Sequence, residues 1–459
     1  MGLVHVARAL GPAMAHSPRA LSAAGPSLAA VLAARVRHTP GDLVWVDAVG
    51  TVTAAELWAL VEARRAALAG RTVVAQVSDQ RSIAALALAA FAAPARAVVV
   101  PVRAGSAALT AAVERHPDAL LVTDDEPVPE LPAPAARDGR GSGSVSFSTS
   151  GTTGTSTSVR QSSGARAVEQ MLGLLGAFPA MRQPVIASAA AVDHGHGFGL
   201  FAAALVLGGT FVALPSDAGA MLEVLGALDR PVDVLSGVPR QLADLAAQPA
   251  DRLAGVEVLR VLSGSDRLAP AVAEAVESAL GAEVYNAYGS AETGTVCVAT
   301  PRHRRLAPAT VGRPVAGVRV EVVDEAGMPC PPGREGRLRV RSPLLAGAAF
   351  TGDRGWVDRS GLVFVTGRAD GLRVSGGETV DPEALRKRLL AEPGVVAAEV
   401  SEVPDERFGS RFAVRVRVRE GAVVDPVELR GRLRSELGPA LTPREIVVLA
   451  DRATPQAET

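Results

Sequence analysis

From residue 27 onward the chain alternates amphipathic stretches of helical length with short apolar runs. Apolar side chains recur at three- and four-residue spacing over residues 54–69, which predicts a helix with one buried face, and a second helix is predicted over 28–37. Short β-branched runs stand at 42–47, 72–77, 97–102 and 120–123, each separated from the next by enough chain for a helix. That rhythm predicts parallel α/β units. It resumes after a Pro-, Ala- and Gly-rich loop at 126–143, with strands predicted at 184–189, 210–214, 232–235, 258–262 and 283–286. Beyond Gly312 the pattern changes. Runs at 318–323, 336–340 and 362–366 are punctuated by Gly and Pro turns, which predicts a small antiparallel or barrel-like subdomain. The last stretch predicts a helix at 382–391, strands at 395–403 and 411–418, a helix at 426–437 and a strand at 445–449. The expected fold class is therefore α/β. A large N-terminal domain is expected over 1–366, with its β-rich subdomain from about 312, a joint at 367–371, and a small compact α+β domain over 372–459.

Composition narrows the class of function. Hydrophobic residues make up 48% and charged residues 21% of the 459, which fits a folded chain and not a disordered one. Lys plus Arg number 47 against 48 Asp plus Glu, so no cation surplus marks a nucleic-acid stripe or a polybasic membrane anchor. Aromatics at 3% leave little for a base-stacking platform. The most apolar window, 83–102, is interrupted by Pro94 and Arg96 and reads as core, with no membrane span. Arg8 breaks the one N-terminal stretch that resembles a leader. Cys297 and Cys330 form neither a disulfide framework nor a metal-ligand spacing, so a reducing, cytoplasmic setting is expected.

The candidate chemistry begins at residues 141–158, a run of glycine, serine and threonine. Its first half, with Val145 and Phe147, alternates like a strand. Its second half has the composition of a loop that wraps an anion with backbone N–H groups and hydroxyls. Composition alone favours a flexible linker. No Gly-Lys-Ser/Thr follows, which argues against an ordinary P-loop, and no Gly-x-Ser-x-Gly elbow occurs.

Order resolves that choice. Thr149-Ser150-Gly151-Thr152-Thr153-Gly154 resembles the phosphate loop of the adenylate-forming superfamily, which includes acyl- and aryl-CoA synthetases, luciferases and nonribosomal peptide adenylation domains. Five further segments follow in that family's order. They are Gly195-His196-Gly197-Phe198-Gly199-Leu200, Leu262-Ser263-Gly264-Ser265, Tyr288-Gly289 followed by Glu292, Thr351-Gly352-Asp353, and Gly367-Arg368 with Asp370. The resemblance runs from about residue 26 to the end.

The resemblance implies activation of a carboxylic acid by ATP and transfer of the acyl group to a thiol, on coenzyme A or on the phosphopantetheine of an acyl carrier protein. Thr149 to Gly154 would hold the β- and γ-phosphates, and Gly264 and Ser265 would lie near the nucleotide. Glu292 would bind Mg²⁺, a hard cation suited to a carboxylate plus phosphates; an acid at a helix start is its structural alternative. Tyr288 and Gly289 would border adenine, where a core aromatic with a satisfied hydroxyl is the alternative for Tyr288. Asp353 would accept from the ribose hydroxyls, although Thr-Gly-Asp is also ordinary turn chemistry. Arg368 would contact ribose or phosphate, and Asp370 would be the hinge. His196, with Phe198 nearby, would line the acid pocket, or His196 would be merely structural. Asp193 and His194 are expected on a loop facing water, with contact to a polar substrate group as their alternative.

The sequence departs from the family pattern at chosen points. Ser156-Thr157 stand where Pro-Lys is usual, with Arg160 nearby, and Ala291 replaces a threonine before Glu292. Valine stands at 374 where many relatives carry lysine. Residues 453–459 align with a Thr-Pro-x-Gly-Lys-like segment so as to put Glu458 at the lysine. Lys387 is the only lysine in the chain, and it sits on a predicted helix between Arg386 and Arg388. Two expectations follow: an ATP-dependent acid ligase, or a divergent homologue that binds nucleotide or acyl-adenylate and performs a partial or modified reaction or serves as a non-catalytic partner.

Overall fold

The computed structural model describes residues 27–128, 143–148, 159–162, 171, 173–290, 292–369, 371–375, 378–405, 409–419 and 421–450. Strands β1 (Leu43–Asp47) and β2 (Gly50–Thr53) make an antiparallel hairpin. Strands β3 (Thr72–Gln76), β4 (Arg96–Val99), β5 (Leu120–Thr123), β6 (Ser144–Phe147) and β7 (Val159–Ser162) form a five-stranded sheet ordered β5-β3-β4-β6-β7, parallel except for β7. The hairpin joins β8 (Val185–Ser188), β9 (Thr210–Ala213), β10 (Val234–Gly237), β11 (Arg260–Ser263), β12 (Glu283–Ser290), β13 (Gly294–Ala299) and β14 (Arg313–Pro314) in a nine-stranded sheet ordered β14-β13-β12-β11-β10-β8-β9-β1-β2. The stretch from β12 to β1 is parallel, with antiparallel strands at both edges.

Local sequence explains the layering. Strands β8 and β10 are buried at every residue, as expected of parallel strands covered on both faces, and they read as short continuous apolar runs. The helix Gln80–Ala92 starts at Asp79, whose carboxylate accepts from the N–H groups of Arg81 and Ser82. Every residue from Ile83 to Phe91 is buried, so this helix is apolar all round because it lies within the largest core. That is the apolar window of the sequence, and it gives way to β4 after Pro94. A second core covers the other face of the nine-stranded sheet through Leu222, Leu235, Leu245 and Val261.

Strands β15 (Arg319–Val323), β16 (Gly336–Arg341), β17 (Ala348–Val357) and β18 (Val363–Arg368) form a fully antiparallel sheet, as the change of pattern after Gly312 predicted. Val340 and Val363 belong to the main core, so this sheet is fused to the larger body. On β17 and β18, Trp356 stacks face to face on Phe364 with ring centroids 3.9 Å apart. A short hairpin, β19 (Arg373–Ser375) with β20 (Glu378–Val380), leads to the α+β unit. There β21 (Val395–Asp405), β22 (Gly409–Val418) and β23 (Glu445–Ala450) carry the helices Pro382–Leu390 and Pro426–Leu437 over a core of their own, built on Leu385, Leu389, Phe412, Leu429 and Leu433. The helix Pro426–Leu437 packs against Gly105–Arg115 of the larger body.

The pattern did not announce β2, β13, β17 or the β19–β20 hairpin. Strand β17 carries Gly352, Asp353, Arg354 and Gly355, poor strand formers, and its register shifts between Arg354 and Gly355 against β18. Pairing with both neighbours overrides that local preference.

Candidate active site

The C-terminal ends of β8, β10, β11 and β12 open on one edge of the large sheet. Sheet order reverses at β8, which has β9 on one side and β10 on the other. The crevice outside the strand ends at such a point is where open α/β sheets bind ligands. Small polar residues stand at or near the ends of β8, β10 and β11, namely Ser188, Ser236 and Ser263, and Asn286 lies midway along the longer β12; all four are buried. Ser263 and Asn286 sit side by side in the β11–β12 register, and among the described residues Ser263 Oγ and Asn286 Oδ1 have no hydrogen-bond partner. Paired orphan polar atoms at a strand-end crevice fit a polar ligand such as a nucleotide.

His196 is the second residue of the helix Gly195–Val206, which begins just beyond β8. The approach of loop to helix requires glycine at 197, where a Cβ would lie 2.2 Å from the carbonyl oxygen of Ala191. His196 Nε2 is 2.9 Å from Ser236 Oγ, and that hydroxyl donates to the carbonyl of Leu262 at 3.0 Å. The serine hydrogen is thereby committed, so His196 donates from Nε2 and keeps a lone pair on Nδ1. Across from it stands Gly264, whose Cβ would meet His196 Cε1 at 3.3 Å. Ser265 holds φ 64, a left-handed conformation that a non-glycine residue adopts at some cost.

Burial pushes the His196 imidazole down to about 4, so it is neutral at ordinary pH. An unfolded histidine takes up its proton near pH 6.5. Between those values the unfolded chain binds more protons, hence stability rises with pH across the window and is lost as pH falls from about 6.5 to about 4. The loss amounts to at most about 3 kcal/mol. The melting temperature should fall over that range, and His196→Gln should flatten the profile; an equally steep profile in the variant would remove His196 as its cause.

The second cluster is Tyr288, Asp353 and Arg368. Tyr288 comes from β12, Asp353 from β17 and Arg368 from β18, where Asp353 and Arg368 are direct cross-strand partners. The Tyr288 hydroxyl donates to Asp353 Oδ2 at 2.5 Å, and Arg368 Nη1 lies 3.3 Å from Asp353 Oδ1. The Thr351 hydroxyl accepts from the Asp353 N–H at 3.1 Å and fixes the turn. Burial and the neighbouring carboxylate push the Tyr288 phenol up, so it stays a donor. Tyr288 thus has the satisfied hydroxyl that sequence reasoning held as its structural alternative, and it orients Asp353.

Glu292 stands exposed on the turn between β12 and β13. Ser290 and Thr293 lock that turn: the Ser290 N–H donates to Thr293 Oγ1 at 3.1 Å, and the Thr293 N–H returns to Ser290 Oγ at 3.2 Å. Gly289 is required there, since a Cβ would lie 2.0 Å from the Gly294 carbonyl oxygen. Among the described residues no group of three or more His, Cys, Asp or Glu gathers around a cation position. A lone exposed carboxylate fits Mg²⁺ held jointly with substrate phosphates.

Phe198 is buried, with its ring among Phe91, Phe147 and Phe201 at centroid distances of 5.3–6.2 Å. Asp193 and His194 are not a water-facing loop pair. Asp193 is largely buried, with Oδ1 3.5 Å from Arg103 Nη2, and His194 Nε2 accepts from Arg103 Nε at 2.6 Å. Sequence reasoning missed Arg103 because it lies 90 residues upstream in an unremarkable turn, Val102–Ala104, and carries no motif. Thr149 to Gly154, Asp370 and Glu458 lie outside the described residues.

Residues 144–348 match the family described as AMP-binding enzyme. That match takes in the segments from β6 to the start of β17. The chain is 34% identical over 137 residues to the uncharacterized acyl–CoA ligase YhfT of Bacillus subtilis, covering 28% of this chain and 29% of that one. It is 30% identical over 238 residues to the sulfoacetate–CoA ligase of Cupriavidus necator, covering 47% and 46%. The matches thus span less than half the length of either relative. In fold it is similar to the amide bond synthetase McbA from Marinactinospora thermotolerans, with TM-score 0.81, 24% identity, and coverage of 94% and 97%. No helix among the described residues is long and apolar enough to cross a membrane.

Proposed function

We propose that the protein activates a carboxylic acid with ATP, forming an acyl- or aryl-adenylate and pyrophosphate, and passes the acyl group to a thiol of coenzyme A or of a phosphopantetheinyl carrier protein. The observation that carries this proposal is the Tyr288–Asp353–Arg368 assembly. It holds a buried carboxylate on the same side of the large sheet as His196 and the buried Ser263–Asn286 pair, which lie within the AMP-binding match.

Bound ATP with Mg²⁺ supplies the phosphoanhydride to be cleaved and neutralises charge on the leaving pyrophosphate. Asp353 takes the ribose hydroxyls, with Tyr288 and Arg368 keeping its oxygens aimed. Gly264 and Ser265 give backbone room for the nucleotide, Gly289 sets the turn that presents Glu292 to the cation, and Thr149 to Gly154 cradle the phosphates. His196, backed by the Phe198 cluster, borders the acid and excludes water. The C-terminal unit turns about 367–371 with Asp370 as hinge, and the protein works in the cytoplasm. Acid-dependent exchange of pyrophosphate into ATP, across fatty, aryl and amino acids, tests the proposal; silence with every acid by folded protein sinks it and leaves a binding or regulatory homologue.

If residues 453–459 align with the family's Thr-Pro-x-Gly-Lys-like segment, Glu458 would put a negative charge where the reacting carboxylate and phosphate gather, which would oppose their approach. Glu458→Lys should raise the exchange rate about tenfold or more, a modest share of what one positioned charge provides. No gain would mean that Glu458 does not occupy the lysine's place. The resemblance in fold to an amide bond synthetase supports a second acceptor class. Product analysis with coenzyme A and with simple amines separates thioester from amide formation.

A further inference from the structure

Arg103 belongs to neither of the clusters described, yet it touches two parts of the molecule at once. Its guanidinium reaches His194 and Asp193, just ahead of His196. Its carbonyl faces the C-terminal unit: a Cβ on Gly438, the residue that ends the helix Pro426–Leu437 with φ 79, would lie 2.0 Å from Arg103 O. The neighbouring contact is equally close, since a Cβ on Gly105 would lie 2.4 Å from the carbonyl oxygen of Glu436. The helix Gly105–Arg115 has no side-chain cap of its own, and its Ser106 hydroxyl points to the carbonyl of Ser435 at 3.5 Å. One helix end therefore seats against the other through two glycines.

We propose that Arg103 is a positioning residue for the acid pocket, cancelling the charge of Asp193 beside His196 and held in place by the C-terminal unit at the Gly438 seat. This rests on the acid-activating function proposed above. Asp193 is 14% exposed at the side chain, and Oδ1 has no well-formed hydrogen bond, so Arg103 is its principal counter-charge. Among the described residues, His194 and His196 at the head of the helix Gly195–Val206 are further titratable groups near it. Burial pushes both imidazoles down, so neither compensates the carboxylate. On the packed helix Pro426–Leu437, Glu436 is held by Arg388 and does not compete for Arg103. With Arg103 withdrawn, a carboxylate substrate would meet an uncompensated carboxylate at the pocket mouth. Seating of the C-terminal unit thereby sets the electrostatics of the pocket.

The test is acid-dependent pyrophosphate exchange between pH 6 and 9. In Arg103→Leu the KM for the acid should rise about tenfold, with the KM for ATP unchanged. Arg103→Lys should stay near wild type, and Asp193→Asn added to Arg103→Leu should bring the acid KM back to within about threefold. Gly438→Ala should move the acid KM in the direction of Arg103→Leu. An unchanged KM in Arg103→Leu, or a rise that Asp193→Asn does not relieve in a protein of normal melting temperature, overturns the charge role. An unchanged KM in well-folded Gly438→Ala overturns the link to the C-terminal unit. Wild-type silence with every acid is instead the failure of the proposed function. In that event imidazole NMR titration decides: the His194 pKa should rise in Arg103→Leu and return on adding Asp193→Asn, and no such movement overturns the inference.

Discussion

Replacing Asp353 with alanine is expected to lower acid-dependent pyrophosphate exchange by about 10²- to 10³-fold, the scale for losing one positioned electrostatic partner. Two effects combine. The nucleotide loses the carboxylate proposed to receive its ribose hydroxyls, and the Tyr288 hydroxyl and Arg368 guanidinium lose the group that both address. Removing one member of a largely buried, hydrogen-bonded charge pair costs more than the pair contributes, because the survivor stays desolvated. A stability loss of about 2–3 kcal/mol is therefore expected beside the kinetic one. The ATP KM should rise together with the fall in kcat. Near-normal exchange in a folded Asp353→Ala protein would remove this cluster from the nucleotide site.

Gly289→Ala is expected to be nearly as damaging by a different route. The added methyl would lie 2.0 Å from the carbonyl oxygen of Gly294 and 3.0 Å from Thr295 Cα, both backbone atoms of the paired strand β13. Backbone cannot swing aside as a flexible side chain does, so the β12–β13 turn must open, at about 2–4 kcal/mol. Opening it breaks the Ser290–Thr293 lock and displaces Glu292. Exchange should fall about 100-fold, with a raised requirement for Mg²⁺ and a lower melting temperature. Glu292→Gln provides the contrast: it should lose activity with little change in melting. If Gly289→Ala melts and turns over like wild type, the turn tolerates the methyl and does not position Glu292.

How much of this was legible in the sequence follows from the range of the interactions. The parallel α/β rhythm was visible because strands such as β8 and β10, buried on both faces, are apolar up to the small residues that end them. The C-terminal unit was visible because its helices and strands keep their own periods. Strand β17 was hidden because it is held by two partners in spite of its glycines and charges. Tyr288, Asp353 and Arg368 could each be singled out from motif order, but not the bond from Tyr288 to Asp353, which joins positions 65 residues apart. Asp193 and His194 were misplaced as water-facing for the same reason. Their surroundings are set by Arg103, which the chain brings to them only when the two sheets pack.

The stacked pair of Trp356 and Phe364 has a consequence of another kind. The chain has three tryptophans. Trp45 is fully buried in the main core and Trp58 is packed against it, whereas Trp356 sits on β17, the strand that carries Asp353, and its ring partner on β18 shares a strand with Arg368. Anything that pulls these two strands apart or draws them together alters the ring overlap, while the other indoles stay in the core. The protein thus carries an intrinsic optical probe on the strands that hold Asp353 and Arg368, and a steady internal reference in Trp45.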